Sequence, residues 1–139
     1  MLYVTLLIYS SLSESKAMVK VVEMDERVTL STQMEENTAP IILINKFNVK
    51  PEEADQLLKA WTEDAKYFKQ QPGFISTQLH RGIAGSSVFV NFAVWESTEL
   101  FKKAVNSPEF KSNLGNYPPS TIASPHLFEK VAVPGICVK

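Results

Sequence analysis

Cysteine and histidine are scarce in this chain: one Cys (Cys137) and two His (His80 and His126) among 139 residues. One cysteine excludes an internal disulfide and any multi-cysteine zinc site. Two isolated histidines without an accompanying carboxylate pattern make a poor metal-binding set. Charge of one sign is also missing. Lys and Arg number 14 against 15 Asp and Glu, a formal net charge of −1, and no basic cluster marks a nucleic-acid face. Long apolar runs are absent too. Met1 to Tyr9 is apolar, but it lacks a basic leading region, meets Ser10-Ser11 early, and is far too short to cross a bilayer as a helix. The expectation is a cytoplasmic protein with no membrane association.

What is present is ordinary globular material, 45% hydrophobic and 21% charged, enough for one domain with a real core. Its densest signals lie between Ile41 and Trp95. The β-branched run Ile41-Ile42-Leu43-Ile44 opens a strand over Ile41–Val49. Ala54, Leu57, Leu58, Trp61, Ala65 and Phe68 then recur at helical spacing, with Glu, Asp and Lys assigned to the opposite face, which predicts a helix over Pro51–Gln70. Pro51 suits the first helical turn, and Glu52 and Glu53 favour the positive end of the helix dipole. Gln71-Pro72-Gly73 stops the helix, and strands follow over Phe74–Arg81 and Val88–Trp95. The linker Gly82-Ile83-Ala84-Gly85-Ser86-Ser87 joins two strands and lacks the Lys-Ser/Thr ending of a phosphate loop, so it reads as a hairpin connection. Ser97 or Thr98 caps a further helix with Leu100, Phe101, Ala104 and Val105 on its apolar face, and Ser107-Pro108-Glu109 starts a short one through Leu114. A last strand is expected from about His126 to Val133.

The order β-α-β-β-α-β predicts an α+β, ferredoxin-like fold: an antiparallel sheet with its helices on one face. Three stretches follow: an N-terminal extension over 1–39, a core over 40–133 and a tail over 134–139. The extension offers a strand-like Leu2–Tyr9 and a hairpin from Met18–Met24 and Arg27–Thr32, or is partly disordered. Within the core, both faces of the strands are apolar. Ile42 and Ile44 alternate with Leu43, Asn45 and Phe47, while Val88, Val90, Phe92 and Val94 alternate with Phe89, Asn91, Ala93 and Trp95. Helices cover only one face, so a homodimer packed through the other is expected.

The string Gln71-Pro72-Gly73-Phe74-Ile75-Ser76-Thr77-Gln78-Leu79-His80-Arg81, then Val90-Asn91-Phe92-Ala93-Val94-Trp95-Glu96-Ser97, then Ser107-Pro108-Glu109-Phe110, resembles the antibiotic biosynthesis monooxygenase family. The resemblance covers roughly residues 40 to 132. It implies a dimeric α+β barrel and, from members that oxygenate phenols or quinols, chemistry needing no metal or flavin, in which a small aromatic substrate supplies electrons to oxygen. The haem-degrading branch has an Asn at the place of Asn45. Its Trp and His ligand would fall near Ala104 and Leu114, and neither residue fits.

Such chemistry requires an apolar, water-excluding pocket with a few fixed donors. Asn45 is the first candidate catalytic residue, because Leu43 and Phe47 share its face and aim the amide inward; the plainer alternative is an amide satisfying nearby backbone. His80 is the second, as a base on a phenol, against the reading of a partly exposed strand-end histidine. Phe47, Trp61, Phe68, Phe89, Asn91 and Trp95 are expected to line the substrate site, with helix-core packing as the alternative for Trp61 and Phe68. No metal ligand set is expected. Two other readings stay open on the same pocket: a non-catalytic dimeric module holding a hydrophobic small molecule, and an isomerase or lyase of this fold.

Overall fold

The computed structural model describes residues 19–138. The expected strand at Leu2–Tyr9 lies outside them, as does Met18 at the start of the expected hairpin. Strands β1 (Lys20–Val21), β2 (Ile41–Asn48), β3 (Phe74–Arg81), β4 (Val88–Trp95) and β5 (Ile122–Phe128) form one sheet in the order β1-β5-β2-β4-β3. The four longer strands pair antiparallel, while β1 runs parallel to β5. With helices α1 (Leu30–Gln33), α2 (Ala54–Phe68), α3 (Thr98–Val105) and α4 (Pro108–Asn113), this is the ferredoxin-like α+β arrangement with one added edge strand.

Local chemistry fixes the joints. Pro51–Glu53 tightens into a 3-10 turn before α2, and the helix ends at Phe68 rather than Gln70. Gly73 has φ +91°, and a Cβ there would stand 2.5 Å from Leu100 Cβ, so only glycine fits between the end of α2 and the start of α3. Ser97 caps α3 by accepting from Leu100 N at 3.2 Å, and Ser107 caps α4 by accepting from Phe110 N at 3.1 Å.

Three expectations change. First, the described part of the expected hairpin, residues 19–32, does not form two paired strands. The segment gives the two-residue β1 and the short α1, and it is tied into the domain. Gln33 Nε2 donates to Leu127 O and Gln33 Oε1 accepts from Leu127 N, both at 2.9 Å. Buried Thr98 donates to Glu36 O at 2.5 Å and accepts from Thr38 N at 3.2 Å.

Second, the last strand starts at Ile122 and ends at Phe128, earlier than expected. Pro125 obscured it. The carbonyls of Thr121 and Ala123 and both backbone groups of Leu127 face β1 and α1 rather than β2. By the same alternation the nitrogen of Pro125 faces this outer edge, where β1 has already ended, so no ladder bond is lost.

Third, Asp64 is buried on the inner face of α2, together with Ala54, Leu57 and Ala60, and not on the polar side. It lies three residues past Trp61 and four before Phe68, on the inward stripe itself.

The core falls into two apolar clusters. One holds Phe47, Val49, Leu57, Phe89 and Tyr117; the other holds Ile41, Leu43, Ala93, Trp95 and Phe101. They part where the inner stripes of β2 and β4 are interrupted at the same rung, Asn45 opposite Asn91.

Candidate active site

The break between the clusters is a cavity of about 140 Å³. Its floor is the sheet. Asn45 lies between Pro125 of β5 and Asn91 of β4, flanked along β2 by Leu43 and Phe47. Asn91 Oδ1 accepts a hydrogen bond from Thr77 Oγ1 at 2.5 Å, which turns its amide N–H group to other partners. Asn45 Oδ1 is buried and has no hydrogen-bond partner. Since buried polar atoms are nearly always paired, an orphaned carbonyl on a cavity wall marks a place for a ligand or water.

Aromatic side chains wall one end. Trp95, 1% exposed, meets Phe68, Phe74 and Phe101 edge-on at ring separations of 5.5 to 5.7 Å. Trp61 completes the α2 side. Val19, Val21, Leu30 and Met34 contribute from the N-terminal segment, so residues before the core help to close the space.

The remaining wall carries a polar cluster that the sequence reading missed. Tyr117 Oη donates to Asp64 Oδ2 at 2.5 Å, and Asn113 Nδ2 donates to Asp64 Oδ1 at 2.7 Å. Burial pushes the Asp64 carboxyl up from 3.8 to about 6, against these two hydrogen bonds, which pull it down. Burial, and then the charge of Asp64, raise the Tyr117 hydroxyl well above its ordinary value of 10. Both residues line the cavity, and Tyr117 stacks on Phe47 with ring centres 6.0 Å apart. Helical spacing held the signal for Asp64, whereas nothing local announced Tyr117.

Of the residues expected at the site, Asn45, Phe47, Trp61, Phe68, Asn91 and Trp95 line this cavity. Phe89 does not; it is buried in the first apolar cluster beneath Arg81, whose guanidinium stands 5.1 Å from the ring centre. His80 is not brought to the cavity either. It is exposed on the opposite face of the sheet, with Nδ1 3.3 Å from Val90 O. The cause is a bulge at Ile75: Phe74 pairs with Trp95, but Ser76 pairs with Val94, so the alternation of β3 flips and His80 turns outward. His126 lies on that outer face too, with Nε2 3.1 Å from Gln33 Nε2. Tyr67 is half-buried and donates to Ala104 O at 2.8 Å, bracing α3. Cys137 is exposed. Among the described residues no group of three or more His, Cys, Asp or Glu could hold a metal ion, and no helix is long and apolar enough to cross a membrane.

A model of the antibiotic biosynthesis monooxygenase family matches residues 40–112, more than half of the sequence. The chain belongs to this family. Among relatives, the mycobilin-producing heme oxygenase of Mycobacterium tuberculosis is 31% identical over 94 residues, covering 66% of this chain and 90% of its own. Deoxynogalonate monooxygenase of Streptomyces nogalater is 30% identical over 70 residues, 50% of this chain and 58% of its own. Among solved structures, a putative monooxygenase from Shewanella loihica PV-4 is 28% identical with a TM-score of 0.60, covering 70% of this chain and 99% of the other. A cofactor-independent oxygenase from Streptomyces nogalater shares the fold at a TM-score of 0.61 and 24% identity, covering 70% of this chain and 99% of its own. The family match begins at residue 40, so the N-terminal wall of the cavity stands outside it.

Proposed function

We propose that this family member is a cofactor-independent monooxygenase that oxidises a single-ring phenol or hydroquinone with O2. The observation that carries this reading is the Asn45–Asn91 rung, with its unpartnered carbonyl, set in a cavity walled mainly by apolar and aromatic side chains. The volume of about 140 Å³ is close to that of a cavity of about 150 Å³ known to hold one benzene. A phenol hydroxyl there donates to Asn45 Oδ1 and accepts from the Asn91 amide. As the proton leaves, the Asn91 donor stabilises the developing oxyanion where water is excluded. The electron-rich phenolate passes one electron to O2, and the radical pair recombines at the ring. Loss of water from the hydroperoxide completes the balance: a phenol with a free para carbon plus O2 gives the para-quinone plus H2O, and a hydroquinone, attacked at a free ortho carbon, gives the hydroxy-para-quinone plus H2O.

Haem as substrate, the chemistry in the mycobacterial relative's name, does not fit the described residues. Haem iron is held by His, Cys, Met or Tyr. Both histidines lie on the outer sheet face, Cys137 is exposed, and Tyr117 is committed to Asp64. Met34 lines the cavity, but neither histidine does. A four-pyrrole macrocycle also exceeds a space sized for one ring.

The outer face supports a homodimer. Ile42, Ile44, Val90 and Val94 are only half-buried there, and Phe92 and Phe128 are 40% and 38% exposed. A second copy packed sheet to sheet would cover them. Light scattering at micromolar concentration should give twice the chain mass, and a monomeric mass refutes the dimer.

Oxygen uptake by metal-stripped protein, measured against single-ring phenols and hydroquinones, tests the activity. Uptake above the uncatalysed rate, cut about 100-fold in Asn45→Ala or Asn91→Ala, is the expected result. No uptake across the panel overturns the oxygenase reading.

A further inference from the structure

We infer that Asp64, held by Tyr117 and Asn113, is the proton acceptor for the hydroxyl of an aromatic ligand bound in the cavity. This deepens the phenol reading above and rests on it. Structural linkage alone does not account for a carboxylate at this position. Asp64 is buried, and no ion pair among the described residues reaches it. A neutral amide would tie α2 to the segment after α4 without the cost of a buried charge. The carboxylate is instead held by two donors, Tyr117 Oη at 2.5 Å and Asn113 Nδ2 at 2.7 Å, on the wall of a cavity lined mainly by aliphatic and aromatic side chains. Asn113 is fixed in turn, since its Nδ2 also donates to Ala60 O at 3.0 Å and its Oδ1 accepts from Asn116 Nδ2 at 2.7 Å. These bonds orient both carboxylate oxygens and leave each with acceptor capacity.

The chemistry needs such a group. Amides receive and donate hydrogen bonds but do not take up a proton at neutral pH, so the Asn45–Asn91 rung positions the hydroxyl without ionising it, and the one O–H turns from Asn45 Oδ1 to an Asp64 oxygen when that carboxyl is ionised. In the step assigned here the phenol O–H bond breaks, its proton passes to an Asp64 oxygen, and the electron pair stays on the phenolate oxygen. A carboxyl titrating near 6 is ionised at neutral pH, and its raised value narrows the gap to a phenol's ordinary value of about 10, so it can take the proton as the Asn91 donor stabilises the phenolate. Of the titratable groups on the elements packed around Asp64, Tyr117 faces it directly and Lys111 of α4 lines the same cavity. Lys59 and Glu63 line a separate groove behind Asn113. Both histidines are on the other face of the sheet.

The test is anaerobic binding of hydroquinone and of its dimethyl ether between pH 5 and 8, with oxygen uptake run in parallel. Hydroquinone affinity should rise about tenfold through pH 6, as expected for a hydrogen bond gained to a charged acceptor, while the ether, with no proton to donate, stays flat. Asp64→Asn should abolish the rise. Tyr117→Phe removes one of the bonds that hold the Asp64 carboxyl down and should move the rise to higher pH, which keeps the inference testable if Asp64→Asn folds poorly. A flat hydroquinone profile, or a rise retained in Asp64→Asn, overturns it. Oxygen uptake with a flat binding profile overturns the inference and leaves the oxygenase reading standing. A pH-dependent profile without uptake does the reverse, and no binding by either compound overturns both.

Discussion

Replacing Asp64 by Asn should flatten a pH dependence that the folded protein owes to this one carboxyl. The unfolded chain titrates Asp64 near 3.8, whereas the folded protein holds its proton to about 6. Between those values the native state binds more protons than the unfolded state, so stability falls as pH rises and levels off above about 6. The displacement from 3.8 to about 6, at about 1.36 kcal/mol per pH unit, amounts to about 3 kcal/mol of stability that is fully present only below pH 3.8 and is lost by pH 7. Urea unfolding of wild type and Asp64→Asn at half-unit steps from pH 4 to 8 reads this directly. The difference between the two unfolding free energies removes every other titrating group, and any constant effect of the altered hydrogen bonds shifts the difference curve without tilting it. Over that window, which opens just above the unfolded value, the difference should swing by about 2.5 kcal/mol in favour of the variant as pH rises. Parallel curves, or a tilt of the opposite sign, would show that Asp64 is not held in the apolar setting described here, and the proton-acceptor assignment would lose its physical basis.

Asn45→Leu should stabilise the fold by about 1 to 3 kcal/mol, because it removes an unpartnered buried carbonyl and fills part of the cavity, while abolishing phenol binding; thermal melts and titration check the two halves. A loss of stability would mean that Asn45 serves the fold rather than a ligand. Gly73→Ala should cost more than about 1 kcal/mol, since its φ of +91° is strained for alanine and the new methyl meets Leu100; urea midpoints at unchanged slope would show it. Gln33→Ala should cost about 2 to 4 kcal/mol by leaving the N–H and C=O of Leu127 unpaired, and faster amide exchange at Leu127 should accompany that loss. Unchanged exchange would separate α1 from the edge of β5.

Much of this protein was legible in its residues because the signals were local. Alternation along Val88–Trp95 placed Phe89, Asn91, Ala93 and Trp95 on one face, as pleating demands. Pro51, the Ser97 and Ser107 caps and Pro72-Gly73 marked element ends by the backbone angles and donors they supply. Asn45 could be read as inward because its neighbours two residues either way are apolar. Other features escaped because no local signal carries them. Pro125 concealed a strand, since its missing N–H is harmless only on an edge that pairing defines. The bulge at Ile75 adds one residue to β3 and reverses the facing of all that follows, which sends His80 outward while Thr77 comes in beside Asn91.

The sequence by itself determined the periodicities, the caps and hence the β-α-β-β-α-β order, because these follow from bonds and angles between near neighbours. Only the tertiary structure decided the site. Asn45 and Asn91 share a rung because strand register aligns them. Tyr117, 53 residues from Asp64, meets it because the chain after α4 returns along α2. Residues 19–38 wall the cavity because β1 and α1 find the open edge of β5. Each of these depends on which surfaces are buried together, a choice made by packing over long sequence distances.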